Sequence, residues 1–232
     1  MTEIRKNIEN MKNKVKECAI QSDRSPDDIQ IIAVGKTFPV EVLQEAYSYG
    51  VRSFGENKVQ ELVEKMNSMS KDLQWHMIGH LQKNKAKYIA GEVTLIHSLD
   101  SVDLAKEIDK VARKKDCIQQ VLVQVNISEE ETKFGLPVNQ VVGFLEEVSN
   151  FSGIQVKGLM TIGPKTKDKD YIRECFKRMH SLYIDIKQEK LDNINMDILS
   201  MGMSNDYDIA IQEGANMIRI GSAIFGKRSY TV

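Results

Sequence analysis

Short apolar runs alternate with longer amphipathic stretches along almost the whole chain. The short runs are rich in isoleucine, valine and leucine and predict buried β-strands. The longer stretches repeat their apolar residues at helical spacing and predict α-helices. Eight strands are predicted in this way, at Ile31–Val34, Val51–Phe54, Gln74–Ile78, Leu95–Ser98, Gln120–Asn126, Gln155–Thr161, Asp197–Ser200 and Met217–Ile220.

Helical segments separate the predicted strands, and one further helix precedes the first strand. Gly50 follows the helix after the first strand, where a glycine favours a helix end. The predicted helices are Glu3–Gln21, Pro39–Tyr47, Asn57–Ser68, Leu81–Ile89, Val102–Lys115, Val138–Ser149, Lys169–Glu189 and Asn205–Gln212.

Strict alternation of strand and helix predicts parallel strands joined by crossover helices, and eight such units close naturally into a barrel. We therefore predict an α/β fold, a single-domain (β/α)8 TIM-type barrel over residues 1–232 with an extra amino-terminal helix. An open doubly wound sheet is the alternative that the same alternation allows. No linker rich in glycine and serine divides the chain, which favours one domain.

Composition and charge narrow the class of protein. Hydrophobic residues make up 41% of the chain and charged residues 28%, which is typical of a soluble globular protein. The formal net charge of -1 argues against general binding to nucleic acid or to an anionic membrane. Cys18, Cys117 and Cys175 show no metal-ligand spacing and fit a reducing compartment. With no signal peptide and no long apolar span, the sequence predicts a cytoplasmic protein.

Lys36 is the first candidate for chemistry. Ile32, Val34 and Lys36 share one face of the first predicted strand, which carries the lysine to the carboxyl end of the barrel. A partly desolvated lysine has a lowered pKa and can attack an aldehyde as the free amine. A solvated lysine that simply begins the next loop is the alternative for this position taken alone.

The loops after the seventh and eighth strands predict a site for an anion. Ser200, Gly202 and Ser204 offer hydroxyl and backbone N–H groups, although Ser204 or Asn205 would also cap the next helix. Gly221 and Ser222 stand at the next strand-to-helix junction, which suits a phosphate.

Arg219 lies within the apolar eighth strand, where an arginine needs a partner because its burial is costly. That partner is a buried carboxylate in one interpretation, and a ring nitrogen or a phosphate in the other.

Six strings in this sequence closely resemble the pyridoxal phosphate homeostasis protein family, in the family's order and over nearly the whole chain. They are Gly35–Thr37, Phe54–Glu61, Trp75–Lys85, Gly158–Ile162, Leu199–Ser204 and Arg219–Gly226. The resemblance implies a barrel like the amino-terminal domain of alanine racemase. Gly35 stands where the family often has serine, and Ser222 where it often has threonine.

The resemblance also implies a cofactor, pyridoxal 5'-phosphate, and a role for each matching residue. Lys36 would hold the cofactor as a Schiff base and Arg219 would face its pyridine nitrogen, with Asn57 beside the ring. His80 and Met160 would line the pocket. The phosphate would be held by Ser200, Met201, Gly202, Gly221 and Ser222.

The function implied by the resemblance is intracellular homeostasis of pyridoxal phosphate and of amino acids, without catalysis. Arginine at the pyridine nitrogen would keep that nitrogen unprotonated and weaken the ring as an electron sink. A weak amino-acid racemase that uses Lys36 and His80 is the alternative, and a Schiff-base aldolase is a third hypothesis. Apo-enzymes that receive the cofactor are the expected partners, and a monomer or a weak dimer is the expected state.

Overall fold

Eight parallel strands close into a barrel in the order β1 to β8 in a computed structural model that describes residues 2–189 and 191–226. The predicted (β/α)8 TIM-type barrel is confirmed, and the open sheet is excluded because β1 pairs with β8. The strands are β1 Gln30–Val34, β2 Ser53–Glu56, β3 Gln74–Met77, β4 Leu95–Leu99, β5 Gln119–Gln124, β6 Ile154–Met160, β7 Ile194–Ser200 and β8 Met217–Ile220.

Helices follow the strands and form the outer layer of the barrel. The amino-terminal helix is capped by the Thr2 side chain and is tied to the last helix by a hydrogen bond from Asn7 Nδ2 to Ile224 O (3.0 Å). The helices are α1 Glu3–Gln21, α2 Val40–Ser48, α3 Val59–Ser68, α4 Lys83–Ala86, α5 Val102–Lys114, α6 Val141–Val148, α7 Lys169–Gln188, α8 Tyr207–Gln212 and α9 Ser222–Phe225. Short 3₁₀ turns occupy Pro26–Asp28 and Val138–Gln140.

Two strand boundaries differ from the prediction in ways that affect the site. The second strand begins at Ser53 rather than Val51, because the Val51 N–H instead bonds to Ala46 O at the end of α2 (3.2 Å). The strand runs on to Glu56, which pairs with Met77 of β3 and immediately precedes Asn57. The third strand ends at Met77, so His80 lies in the following loop and not on a strand face.

The fourth predicted helix, Leu81–Ile89, is much shorter in the structure. After Ala86 the chain continues through tight turns, in which the N–H groups of Tyr88 and Ile89 bond three residues back. Such bonds replace the regular α-helical pattern.

The barrel interior is filled in part by apolar side chains and in part by buried polar ones. The interior apolar cluster consists of Ile32, Leu95, Leu122, Met160 and Met217. A larger core lies between the strands and the surrounding helices. Among the helices of the described residues, none has the length and apolar content needed to cross a membrane.

Candidate functional site

A cavity of about 380 Å³ opens at the carboxyl ends of the strands. Loops after β1, β2, β3, β6, β7 and β8 all contribute to it. Its polar lining is Lys36, Asn57, Ser204, Asn205, Arg219 and Ser222, with the glycines Gly221 and Gly226. Its apolar lining is Val34, Phe38, Ile78, Ile162 and Met203.

The charged side chains that line this cavity are all cationic among the described residues. Lys36 and Arg219 contribute two cations, and no aspartate or glutamate lines the cavity among the described residues. A cavity of this kind favours an anionic ligand, because opposite charge is attracted strongly where water is partly excluded.

Lys36 reaches the cavity because of its place at the end of β1. Ile32 packs in the barrel interior while Val34 and Lys36 line the cavity, so all three lie on the face that the alternation predicts. Lys36 is half-buried, and the turn that follows it contains Thr37 at a φ of 70°.

Asn57 is held by a close approach between the loops after β2 and β3. A Cβ at Gly79 would lie 2.4 Å from Asn57 O, so only glycine allows the two backbones to come this near. Within the described part of the chain, Asn57 Oδ1 is buried and has no hydrogen-bond partner. Asn57 lines the cavity, so the rest of its side-chain amide can meet a ligand there.

Arg219 lies at the base of the cavity with 4% of its surface exposed. Its guanidinium donates to Ser200 Oγ and to Thr161 O, each at 2.7 Å. Burial lowers the pKa of Arg219 to about 10, and the negative charge of Asp206 opposes that shift. Arg219 is therefore still a cation at neutral pH, and its direct partners are a hydroxyl and a carbonyl.

A chain of buried hydrogen bonds extends from Arg219 into the barrel. Ser200 Oγ lies 3.2 Å from His97 Nδ1, and His97 Nε2 lies 3.0 Å from His76 Nδ1. Burial lowers the pKa of His76 to about 4 and holds the pKa of His97 well below its usual range, where His76 and Arg219 lower it further. Both imidazoles are therefore neutral at neutral pH. This series of hydrogen bonds fixes the orientation of Ser200 and Arg219.

The loops after β7 and β8 are joined at the cavity wall. Ser204 Oγ accepts a hydrogen bond from the Ala223 N–H (3.4 Å), which connects the first loop to α9. The Asp206 carboxylate accepts from the Met203 N–H at 2.5 Å and fixes the turn that presents Ser204.

The structure brings together five of the eight predicted cofactor-binding residues. Lys36, Asn57, Arg219, Gly221 and Ser222 line the cavity. The other three, Ser200, Met201 and Gly202, are buried behind its wall.

The side-chain hydroxyl of Ser200 is fully buried and is engaged by Arg219 and His97. Ser204 and Asn205, which by sequence could equally be helix caps, stand in the wall instead. The signal for Ser204 was present in the sequence, because it is the second hydroxyl of the same loop.

His80 and Met160 do not line this cavity among the described residues. Met160 is fully buried in the barrel interior. The His80 ring stacks on Phe134 with 3.8 Å between centroids, and its Nδ1 lies 3.7 Å from Asp100 Oδ2. His80 instead lines a neighbouring cavity of about 200 Å³, to which Asn57 also contributes.

Comparison with known proteins agrees with the fold. Residues 2–229 match the family model described as "Alanine racemase, N-terminal domain". The "Pyridoxal phosphate homeostasis protein" of Aquifex aeolicus is 39% identical over 94% of this chain and 95% of its own.

Two solved structures share the whole barrel. An "unknown protein" from Bifidobacterium adolescentis has a TM-score of 0.90 at 30% identity, over 96% of this chain and 94% of its own. PipY of Synechococcus elongatus, solved with PLP bound, has a TM-score of 0.81 at 32% identity, over 91% of this chain and 100% of its own. The chain belongs to the pyridoxal phosphate homeostasis protein family.

Proposed function

We propose that this chain binds pyridoxal 5'-phosphate as a Schiff base on Lys36 and acts in homeostasis of the cofactor rather than in catalysis. The observation that carries the proposal is the cavity with two cations, Lys36 and Arg219, and no carboxylate in its described lining. The relative PipY, solved with PLP bound, supports it.

The residues present fit the cofactor. Its phosphate is anionic and suits the cationic lining, and its ring suits the apolar walls formed by Val34, Ile78 and Met203. The Asn57 side-chain amide in the cavity wall offers hydrogen-bonding capacity to a polar ligand. When bound, the cofactor would supply an aldehyde carbon for the Lys36 amine and an aromatic ring that withdraws electrons.

We assign the remaining roles by position. Arg219 Nη1 and Nη2 donate inward to Ser200 and Thr161, and these two bonds use two of its five N–H donors. The guanidinium would face the pyridine nitrogen as a fixed donor.

Ser204, Ser222 and the backbone at Gly221 would hold the phosphate, since all three line the cavity. Ser200, Met201 and Gly202, to which the family resemblance assigns the phosphate, would instead support the wall and orient Arg219.

Two features favour a carrier over an enzyme. A cationic Arg219, with its pKa at about 10, cannot protonate a ring nitrogen at neutral pH to any useful extent. In addition, no histidine, tyrosine, cysteine, aspartate or glutamate lines the cavity among the described residues, so a second acid or base opposite Lys36 has no candidate there. Apo-enzymes would receive the cofactor.

The first test is covalent attachment. The purified chain mixed with pyridoxal phosphate should develop a visible absorption band that borohydride removes, and peptide mass spectrometry should then find the reduced adduct on Lys36. An adduct found mainly on another lysine would overturn the assignment of Lys36.

The second test separates carrier from racemase. We expect the loaded protein in deuterated water to exchange the α-proton of L-alanine negligibly, while it still delivers cofactor to an apo-enzyme. Deuteration on the order of 1 s⁻¹ or faster, lost in His80→Ala, would establish the racemase instead.

A further inference from the structure

The peptide groups on both sides of Lys36 are held by charged side chains of α3. Gly35 O accepts a hydrogen bond from Lys65 Nζ at 3.0 Å. The Thr37 N–H donates to Glu61 Oε2 at 3.0 Å. Thr37 has a φ of 70°, in the left-handed region that non-glycine residues seldom adopt, so this turn needs an external constraint.

Lys65 is an unusual lysine because it is buried behind the β1–α2 turn. Its side chain is 6% exposed, and its Nζ lies 2.7 Å from Oε1 of the fully buried Glu56 and 3.8 Å from Glu61 Oε2. A buried ion pair contributes little to stability compared with apolar side chains of the same size, so its presence points to a role in fixing one conformation.

Gly35 is what lets the carboxylate approach. A Cβ at this position would lie 2.8 Å from Glu56 Oε1 and 2.8 Å from Leu43 Cδ2. The glycine at position 35 is therefore matched to the Glu56–Lys65 pair.

We propose that Lys65 is a positioning residue for Lys36: held between Glu56 and Glu61, it fixes the peptide group before the lysine whose amine bonds the cofactor, while Glu61 fixes the peptide group after it. This inference rests on the function proposed above for Lys36. The clamp, by which we mean Glu56, Glu61 and Lys65, has its contacts with the backbone at Gly35 and Thr37.

The physical advantage of such a clamp is that it reduces the conformational freedom of Lys36. A lysine has four rotatable side-chain bonds, so a mobile Cα would spread its amine over a wide volume. Fixing the two adjoining peptide groups anchors the Cα and raises the fraction of time that the amine spends within reach of the aldehyde. Misplacement of a reacting group by about 1 Å can cost up to about a hundredfold in rate.

The test uses Glu61→Ala, which removes the acceptor for the Thr37 N–H, and the double variant Lys65→Met with Glu56→Gln, which removes the pair without leaving a lone buried charge. In the protein without cofactor, NMR should show faster hydrogen exchange at the Thr37 amide in Glu61→Ala. Stopped-flow absorbance with saturating pyridoxal phosphate should show that both variants form the bond at least about tenfold more slowly.

Two matched variants separate positioning from general damage. Glu61→Gln keeps a side-chain acceptor for the Thr37 N–H, so it should restore slow exchange and most of the rate. Glu64→Ala makes the same kind of change at an exposed position of the same helix. It should leave the Thr37 amide exchange and the rate of bond formation unchanged.

Two results would overturn the clamp. Unchanged Thr37 exchange in Glu61→Ala would do so, and so would bond formation at the unmodified rate in both test variants. If the unmodified chain forms no bond at Lys36, the proposed function fails, and the exchange measurement still decides whether the clamp holds the turn.

Discussion

Two serines four positions apart have different surroundings at the residue scale. Ser200 is fully buried and bridges Arg219 and His97, whereas Ser204 is half-buried and lines the cavity. The sequence presents both as hydroxyls in one loop, and only the barrel's interior packing assigns them to opposite sides of the wall.

Replacing each serine by alanine should separate stability from binding. Ser200→Ala leaves buried nitrogen atoms of Arg219 and His97 without a partner and should lower the free energy of unfolding by about 1–3 kcal/mol. Ser204→Ala should change stability less, yet weaken pyridoxal phosphate more than pyridoxal, which has no phosphate. Urea unfolding and equilibrium titration with both compounds measure the two effects. A larger loss of phosphate-specific affinity in Ser200→Ala than in Ser204→Ala would indicate that Ser200, and not Ser204, holds the phosphate.

At the scale of elements, periodicity placed all eight strands because buried parallel strands read as apolar runs. It missed the β2 boundary, where Ser53–Glu56 includes polar residues whose burial depends on partners distant in the sequence. Lys65 and Glu56 illustrate the difficulty, since each alone reads as a surface residue of its element and only the folded barrel brings their charged atoms within 2.7 Å.

The site was predictable to a similar extent. Strand-end chemistry pointed to four residues that line the cavity, Lys36, Arg219, Gly221 and Ser222. It pointed equally to Ser200 and Gly202, which are buried behind the cavity wall. Family likeness added Asn57, whose own sequence context carries no physical signal. What the sequence could not supply is the approach of Gly79 to Asn57, because no local pattern encodes a contact between two loops.

That approach gives a prediction at the scale of elements. Gly79→Ala places a methyl group 2.4 Å from Asn57 O, so the loop after β2 must shift, lowering both the free energy of unfolding and the affinity for pyridoxal phosphate. Gly143→Ala is the matched control, because this α6 position has open space around its Cβ and should gain up to about 1 kcal/mol of stability. Equal effects of the two substitutions in urea unfolding and titration would contradict the role of the Gly79 contact.

The barrel as a whole buries ionisable groups whose pKa values shift in opposite directions. Burial raises the pKa of Glu56 to about 7 even though Lys65 favours its charged form. Burial lowers the pKa of His76 to about 4 and that of His97 well below its usual range. A carboxyl with a raised pKa favours folding at low pH, and a histidine with a lowered pKa favours folding at high pH.

The opposed shifts predict how the free energy of unfolding of the whole molecule depends on pH. The folded state binds the Glu56 proton more tightly than the unfolded state does, so this contribution is present below the ordinary glutamate pKa of 4.5 and is lost as the pH rises through about 7. The His76 contribution is present above the ordinary histidine pKa of 6.5 and is lost as the pH falls through about 4. The two partly cancel between these limits.

Single substitutions should expose each contribution in urea unfolding between about pH 4 and pH 8, the range that spans both shifts. Relative to Glu56→Gln, the unmodified chain should lose stability as the pH rises, because only the unmodified chain must ionise a buried carboxyl. Relative to His76→Gln, it should lose stability as the pH falls, because only the unmodified chain carries a buried imidazole that resists protonation. A surface substitution that removes no ionisable group, such as Asn67→Ala, should give a difference that is constant across the range. A flat difference for Glu56→Gln would mean that Lys65 keeps this carboxylate charged throughout, and the clamp would then stay ionised at every pH tested.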